Sequence, residues 1–201
     1  MGRWAENPRG RLAAAAFELY GEQGFEQTTG AQIATRAGMH ERSFFRLFGD
    51  KREVFFYAMD GVAHELAASI AGSATDATPI DAASDAIEER CALIQRSPSL
   101  AALRARLIAE NPELRERDLS KHAELAMAVA GALRERGTAE HIAVLIGETT
   151  IAAFRTAVAR WISDPATRSL PERFRDGLDD LEAALVHRRR GPARDPRTPH
   201  S

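Results

Sequence analysis

The sequence has little cysteine, no long apolar run and no strand-like alternation, and each shortage excludes a class of protein. Cys91 is the only cysteine among 201 residues, so neither an intrachain disulfide nor a cysteine-based metal cage is expected. No stretch approaches the roughly 18 apolar residues that a membrane span requires, and residues 1–8 lack the apolar core of a signal peptide. We therefore expect a cytoplasmic protein without a membrane partner.

Patterns typical of enzymes are missing as well. His64-Glu65 lacks the second histidine of the helical zinc-protease pattern, and Cys91 follows the acidic pair Glu88-Glu89, which disfavours a thiolate. The sequence contains no glycine-rich phosphate loop and no Gly-x-Ser-x-Gly elbow. We predict no enzyme, no cofactor and no metal site, and an all-helical enzyme that uses His122 or Glu148 stays open as an alternative.

Charge is spread unevenly along the chain. The net charge is −2, from 27 basic and 29 acidic side chains, which argues against a protein that coats nucleic acid without specificity. Residues 1–56 carry 8 basic and 7 acidic groups, residues 57–187 carry 14 and 21, and residues 188–201 carry 5 and 1. The acidic middle segment is therefore not expected to face DNA.

Apolar periodicity predicts three short helices at the N-terminus. The stripe of the first, Pro8–Gln23, comprises Leu12, Ala15, Ala16, Leu19 and Tyr20. Thr29 and Gln32 form a capping box for a short second helix. Gly38 then turns the chain, and a third helix is predicted over residues 40–48. Two short helices around a glycine turn are typical of a helix-turn-helix.

The rest of the chain predicts a larger helical bundle. A second capping box, from Asp50 to Glu53, starts a helix that is expected to run unbroken to about Ala71. Proline and glycine breaks then separate five helix-favouring segments: 79–96, 98–109, 112–136, 138–162 and 170–186. The predicted fold is all-α, with a helix-turn-helix domain in residues 1–50, a larger helical-bundle domain in residues 51–187 and a disordered basic tail in residues 188–201.

The N-terminal pattern resembles the DNA-binding domain of the TetR/AcrR family of regulators over roughly residues 9–56. The matching residues are Arg11-Leu12 through Phe25, Thr28-Thr29, Gln32-Ile33-Ala34, Ala37-Gly38-Met39, Ser43 through Phe48, and Lys51. The resemblance implies a sequence-specific homodimer on a palindromic double-stranded operator. It also implies that residues 51–187 dimerise and bind a ligand, and that a small-molecule effector releases the repressor from DNA.

In that family the third helix enters the major groove, so its outward residues become the candidate base readers. They are His40, Glu41, Arg42, Ser43 and Phe45. Arg42 suits the O6 and N7 acceptors of guanine, and Glu41 suits the N4 donor of cytosine. Arg42 is the strongest candidate for a base contact.

Contacts to the DNA backbone are implied at two helix starts. Thr29 and Lys51 match the family's phosphate-binding positions, where free N–H groups also favour an anion. Gln32 and Arg46 complete the predicted DNA-binding set. Phe45 stands where the family usually has tyrosine, which removes one phosphate contact and leaves a vestigial helix-turn-helix on a small-molecule scavenger as a second alternative.

Signals in the C-terminal half concern the ligand and the dimer. Polar residues embedded in apolar helical runs are candidates for a ligand pocket: Arg104, Arg106, His122, Glu148 and Arg155. Residues 104–119 resemble a subgroup of the family that binds acyl-CoA-like ligands, so the effector is expected to be apolar or acyl-CoA-like. Reading two half-sites requires a two-fold dimer, and its interface is predicted on the last two helices at Ile142, Leu145, Ile146, Thr149, Ala153 and Thr156.

Overall fold

The computed structural model describes residues 7–189, with side chains as far as residue 186. Within that range the chain forms ten α-helices, one 3-10 turn and no strand. The helices are α1 Pro8–Gln23, α2 Gly30–Arg36, α3 Glu41–Leu47, α4 Lys51–Phe56, α5 Val62–Gly72, α6 Pro79–Ile94, α7 Pro98–Glu110, α8 Pro112–Glu135, α9 Glu140–Ser163 and α10 Leu170–Arg189. The predicted all-α fold is confirmed.

Side-chain caps explain where the N-terminal helices begin. Asn7 accepts a hydrogen bond from the first turn of α1 at 2.7 Å. Thr29 and Gln32 form the predicted capping box of α2, in which the Gln32 Oε1 accepts from the Thr29 N–H at 2.8 Å. Asp50 caps α4, and Glu53 reaches back to the N–H of the residue before the cap. These bonds satisfy N–H groups that have no partner inside a helix.

The helix expected to run unbroken over residues 50–71 is interrupted. α4 ends at Phe56, a 3-10 turn covers Tyr57–Met59, and Gly61 adopts a φ of +83° before α5 starts. Glycine enters this left-handed region without steric cost, and a residue in that conformation cannot continue a right-handed helix. The connection between the N-terminal helices and the rest of the chain is therefore bent, and we call residues 51–61 the connector.

Buried apolar side chains form two clusters. The N-terminal core joins α1 to α4 and contains most of the aromatic residues: Phe17, Tyr20, Phe25, Phe44, Phe48, Phe55 and Phe56. Leu107 of α7 and Leu114 of α8 also belong to it. The C-terminal core lies among α5, α6, α8, α9 and α10 and is rich in alanine. Because α7 and α8 reach into the N-terminal core, the two parts share an interface beside the connector. The predicted domain boundaries stay a prediction.

α10 extends beyond its predicted end at residue 186. It continues to Arg189, so residues 188 and 189, which were predicted to start a disordered tail, are helical. The first strong helix breaker in this stretch is Gly191, and arginine near a helix C-terminus interacts favourably with the helix dipole. The rest of the predicted tail, residues 190–201, lies outside the described residues.

α9 contradicts the expectation that no segment is apolar and long enough for a membrane span. By length and composition alone it passes that test, with a mean hydropathy of 1.5 in its most apolar window. The core helix of a soluble protein passes the same test. About a third of the window, 33%, is buried inside the protomer, and Ile142 and Leu145 are among the exposed side chains. α9 thus presents an apolar face outward.

Candidate nucleic-acid interface

Helices α2 and α3 form a helix-turn-helix around Gly38, whose φ is +66°. The turn is closed by a hydrogen bond of 2.9 Å from the Met39 N–H to the Ala34 carbonyl. Phe44, which is 1% exposed, anchors α3 in the N-terminal core. The close packing of its ring depends on Gly30, because a Cβ there would lie 2.7 Å from Phe44 Cε1. The buried side of α3 is therefore fixed, and its other side faces solvent.

We expect Gly30→Ala to displace α3 from α2, because the new methyl group has to move the buried Phe44 ring. Overpacking of this kind costs about 1–3 kcal/mol, which outweighs the gain of up to about 1 kcal/mol from the helix propensity of alanine. Thermal unfolding measures the loss. Gly21→Ala in α1 is the control, since its Cβ would meet only Leu103 at an ordinary 3.6 Å. Equal melting temperatures for both variants would contradict the prediction.

The outer side of α3 presents the predicted base readers. His40, Glu41 and Arg42 are exposed, while Ser43 is half-buried. Phe45 is 56% exposed, and its ring packs edge-on against Phe44 with a centroid distance of 5.2 Å. A large exposed aromatic ring beside charged groups suits stacking or contact with a thymine methyl.

Arg42 and Arg46 differ from the other arginines of the N-terminal helices. Both are exposed, and neither forms an ion pair with any described residue. Arg36 instead donates to both carboxylate oxygens of Glu22, at 2.8 and 2.7 Å, which ties α2 to α1. Arg11 donates to the Ala37 carbonyl at 3.0 Å. Among the arginines of the N-terminal helices, Arg42 and Arg46 are therefore the two whose donors face outward without an ion-pair partner in the described part of the chain.

The residues predicted to contact phosphate differ in whether their side chains face solvent. Thr29 and Gln32 are exposed at the start of α2, where their capping box already uses the Gln32 side-chain oxygen. Lys51 turns inward: its Nζ donates to the Phe25 carbonyl at 2.9 Å and to the Glu26 carbonyl at 3.2 Å. In this conformation the Lys51 ammonium holds the loop after α1 against α4, and its contact with phosphate stays a prediction.

The residues predicted to line a ligand pocket do not converge. Arg104 of α7 and His122 of α8 meet at Asp118, with N···O distances of 3.2 and 3.3 Å to its two carboxylate oxygens. Glu148 and Arg155 lie exposed on α9, as Arg106 does on α7. Asp118 was not among the predicted residues, although its position four residues before His122 places both on one side of α8. Arg104 and His122 thus form a cluster with Asp118, and the other three predicted pocket residues lie on the surface.

Two clefts in the described part of the chain lie elsewhere, at the end of the bundle formed by the α9–α10 loop. One, of about 450 Å³, is lined by Arg160, Thr167, Arg168, Arg173, Asp176, Asp179 and Asp180. The other, of about 490 Å³, includes Gln95, Trp161, Pro165 and Glu172. Neither contains any of the predicted pocket residues.

The carboxyl group of the half-buried Asp118 has a shifted pKa. Burial alone would raise its pKa, but the hydrogen bond and charge of His122 and the charge of Arg104 outweigh burial and hold the pKa below its usual range. A lowered folded-state pKa means that the carboxylate stabilises the fold above the unfolded-state pKa, about 3.9. That stabilisation is lost as the pH falls through the lower folded-state value.

The difference in unfolding free energy between the wild type and Asp118→Asn is therefore expected to shrink as the pH falls from about 6 to below about 4. Urea unfolding at a series of pH values measures it. The exposed Asp85→Asn on α6 is the control. A difference that stays constant across this range would contradict the role assigned to the Asp118 carboxylate.

Exposed apolar side chains cluster on α9 and α10. Of the predicted interface residues, Ile142 and Leu145 are 41% and 61% exposed. Thr156 is exposed and Thr149 is half-buried, whereas Ile146 and Ala153 pack against the C-terminal core instead. Three exposed residues of α10 were missed by the sequence analysis: Leu181, Leu185 and Val186. The i, i+4 spacing of the two leucines was the available signal.

The fold and the exposed face of α3 define a helix-turn-helix DNA-binding protein with a larger helical domain. The profile of bacterial regulatory proteins of the tetR family matches residues 12–58, and the profile of the MftR C-terminal domain matches residues 77–186. The chain belongs to the TetR family of transcriptional regulators. It is accordingly a DNA-binding regulator and not an enzyme.

Individual relatives agree with this family. The regulator TcmR of Streptomyces glaucescens is 35% identical over 78 residues, a match that covers 39% of this chain and only 34% of TcmR. FadR of Thermus thermophilus, solved with lauroyl-CoA, shares 20% identity with a TM-score of 0.57 over 96% of this chain and all of its own (100%). SmeT, the repressor of a Stenotrophomonas maltophilia multidrug efflux pump, shares 17% identity with a TM-score of 0.62 over 90% and 92% of the chains. At these identities the structural likeness concerns the fold.

Proposed function

We propose that this regulator is a homodimeric repressor that binds a palindromic operator and is released by a small-molecule effector. The observation that carries the proposal is the outer face of α3, where Arg42 is exposed and has no ion-pair partner among the described residues. Arginine is the side chain that most often binds guanine in the major groove, through two parallel hydrogen bonds. Arg42 reads a base, and Thr29, Gln32, Arg46 and Lys51 contribute backbone contacts.

The apolar face of α9 and α10 supports the dimer. One helix-turn-helix buries too little surface for tight specific binding, so the protein needs a second copy on the other half-site. The exposed Ile142 and Leu145 on α9 and Leu181 and Leu185 on α10 form the interface. Pairing of these helices between two copies also accounts for the apolar outer face of α9. The protein acts in the cytoplasm without a membrane partner.

The effector binds within the C-terminal domain and is apolar or acyl-CoA-like. The support for its class is the lauroyl-CoA that accompanies the Thermus thermophilus FadR, a protein of the same fold. A ligand changes the population of a DNA-binding state only if it binds one state better than the other. The effector therefore binds more tightly to a dimer whose α3 helices no longer match the operator spacing, and so favours that state.

A mobility-shift assay tests this function. Purified full-length protein is incubated with DNA that flanks its own gene and with a random duplex, across a series of salt concentrations. Specific, salt-dependent binding that lauroyl-CoA weakens is the expected result. Binding that lauroyl-CoA tightens would indicate a co-repressor or activator mode instead. Equal affinity for both duplexes would show that the flanking DNA does not contain the operator. Equal affinity for every duplex tested would favour a small-molecule scavenger with a vestigial helix-turn-helix.

A further inference from the structure

The bent connector leaves the orientation of the N-terminal helices to side-chain contacts. A continuous helix would fix their angle to the C-terminal domain, but the chain leaves α-helical geometry between Phe56 and Val62. A short helix exposes backbone carbonyls at its C-terminal end, because the last four have no partner within the helix. The connector therefore offers carbonyl acceptors next to α6 and α7.

Two arginines of the C-terminal domain bind these carbonyls. The Arg104 Nη1 donates to the Phe55 carbonyl at 3.0 Å, and the Arg90 Nη2 of α6 donates to the Ala58 carbonyl at 3.2 Å. The Arg104 guanidinium also lies over the rings of Phe55 and Phe56, 4.6 and 4.9 Å from their centroids. A cation at the C-terminal end of a helix is favoured by the helix dipole.

Arg104 is itself held by α8. The Arg104 Nη2 lies 3.2 Å from the Asp118 Oδ1. The His122 Nδ1 lies 2.8 Å from the backbone carbonyl oxygen of Asp118 and 3.3 Å from the Asp118 Oδ2. Both neighbours of Nδ1 are acceptors, so Nδ1 carries the proton. The centroids of the His122 ring and the Phe154 ring on α9 are 6.2 Å apart. One series of contacts thus runs from the connector through α7 and α8 to α9.

We propose that Arg104 is a positioning residue that sets the angle between the helix-turn-helix and the C-terminal domain. Apolar packing by Leu107 and Leu114 keeps the two parts attached, but apolar contact is not directional. The planar guanidinium fixes direction because it binds a carbonyl, a carboxylate and two ring faces at once, which a lysine ammonium cannot reproduce. The importance of this angle for DNA binding rests on the proposed function, because the angle sets the spacing of the two α3 helices on a two-fold operator.

The angle can be measured without DNA. Spin labels are attached to cysteines introduced at Thr35 on α2 and Asp85 on α6, both exposed, while the native Cys91 is fully buried. Doubly labelled full-length chains are diluted into unlabelled protein, and the label distance is measured by pulsed electron paramagnetic resonance. We expect one narrow distribution for the wild type, a broadened or shifted one for Arg104→Met, and an intermediate one for Arg104→Lys. Arg106→Met, on the exposed side of the same helix, should match the wild type.

A narrow, unshifted distribution in a folded Arg104→Met would overturn the proposal. If that variant fails to fold, Asp118→Asn provides the second test, since it leaves Arg104 in place but removes the carboxylate that holds it. Asp118→Asn should broaden the distribution, and a wild-type distribution in this variant would equally overturn the proposal.

DNA binding then separates positioning from general stability. With an operator in hand, Arg104→Met is expected to weaken operator binding by about 3–30-fold, to leave binding to a random duplex unchanged, and to reduce the preference for the native half-site spacing. Equal weakening on all duplexes would contradict a positioning role. If the wild type recognises no operator, the proposed function fails, while the label distances still decide whether Arg104 sets the angle.

Discussion

Gly147→Ala is expected to destabilise the protein by about 2–3 kcal/mol, the upper part of the range for overpacked cores. Gly147 lies in α9 where that helix crosses α8, and a Cβ there would overlap the Ala126 carbonyl oxygen and lie 3.4 Å from the Ala130 nitrogen. Both are backbone atoms, so relief requires the two helices to move apart. The separation would open the alanine-rich C-terminal core along its most extensively packed pair of helices.

The expected loss corresponds to a fall in melting temperature of about 4–12 °C for a chain of this size. It is measured at one protein concentration, because the proposed dimerisation would also affect stability. Gly131→Ala in α8 is the matched control. There the nearest atom to a new Cβ is the flexible Arg134 Nη2 at 3.7 Å, so alanine should be neutral or stabilising by up to about 1 kcal/mol. A Gly147→Ala protein as stable as Gly131→Ala would show that α8 and α9 do not pack this closely.

Arg42→Ala is expected to remove most of the specificity for DNA. A bidentate contact to guanine gives about 1–3 kcal/mol of discrimination, and the proposed two-fold dimer would lose it at both half-sites. The dissociation constant for the operator should therefore rise at least about 30-fold, while binding to a random duplex changes little. Arg42 is exposed in α3 and has no ion-pair partner among the described residues, so the substitution should leave the melting temperature unchanged.

Fluorescence anisotropy with operator and random duplexes measures both affinities, with the exposed Arg106→Ala in α7 as the control. A uniform loss across all sequences, with a smaller salt dependence, would assign Arg42 to a phosphate and not to a base. Unchanged operator affinity would remove Arg42 from the interface altogether.

Local signals were sufficient to predict most of the helices and the helix-turn-helix, while the DNA contacts of its individual residues stay predictions. Thr29 and Asp50 cap helices where the sequence indicated caps, because capping depends on residues only two or three positions apart. The helix-turn-helix followed from similarly short spacings around Gly38. Such features depend little on the rest of the fold, so a single sequence suffices to identify them.

The remaining features depend on contacts between distant segments or on competing local preferences. The apolar periodicity of residues 50–71 predicted an unbroken helix, yet the left-handed φ of Gly61 breaks it. The phosphate contact of Lys51 stays a prediction from the resemblance, but no spacing in the sequence indicates that its Nζ also binds the carbonyls of Phe25 and Glu26. The pairing of Arg104 with Asp118 joins two helices, and no spacing in the sequence predicts which charge an arginine will meet.

Selection from a random duplex library tests the central claim most directly. Full-length protein is used to enrich binding sequences over several rounds, in parallel with Arg42→Ala. The proposed function predicts one palindromic motif for the wild type, with a guanine in each half-site that the Arg42→Ala selection no longer requires. The absence of any enriched motif in the wild-type selection would contradict a regulator that reads an operator through α3.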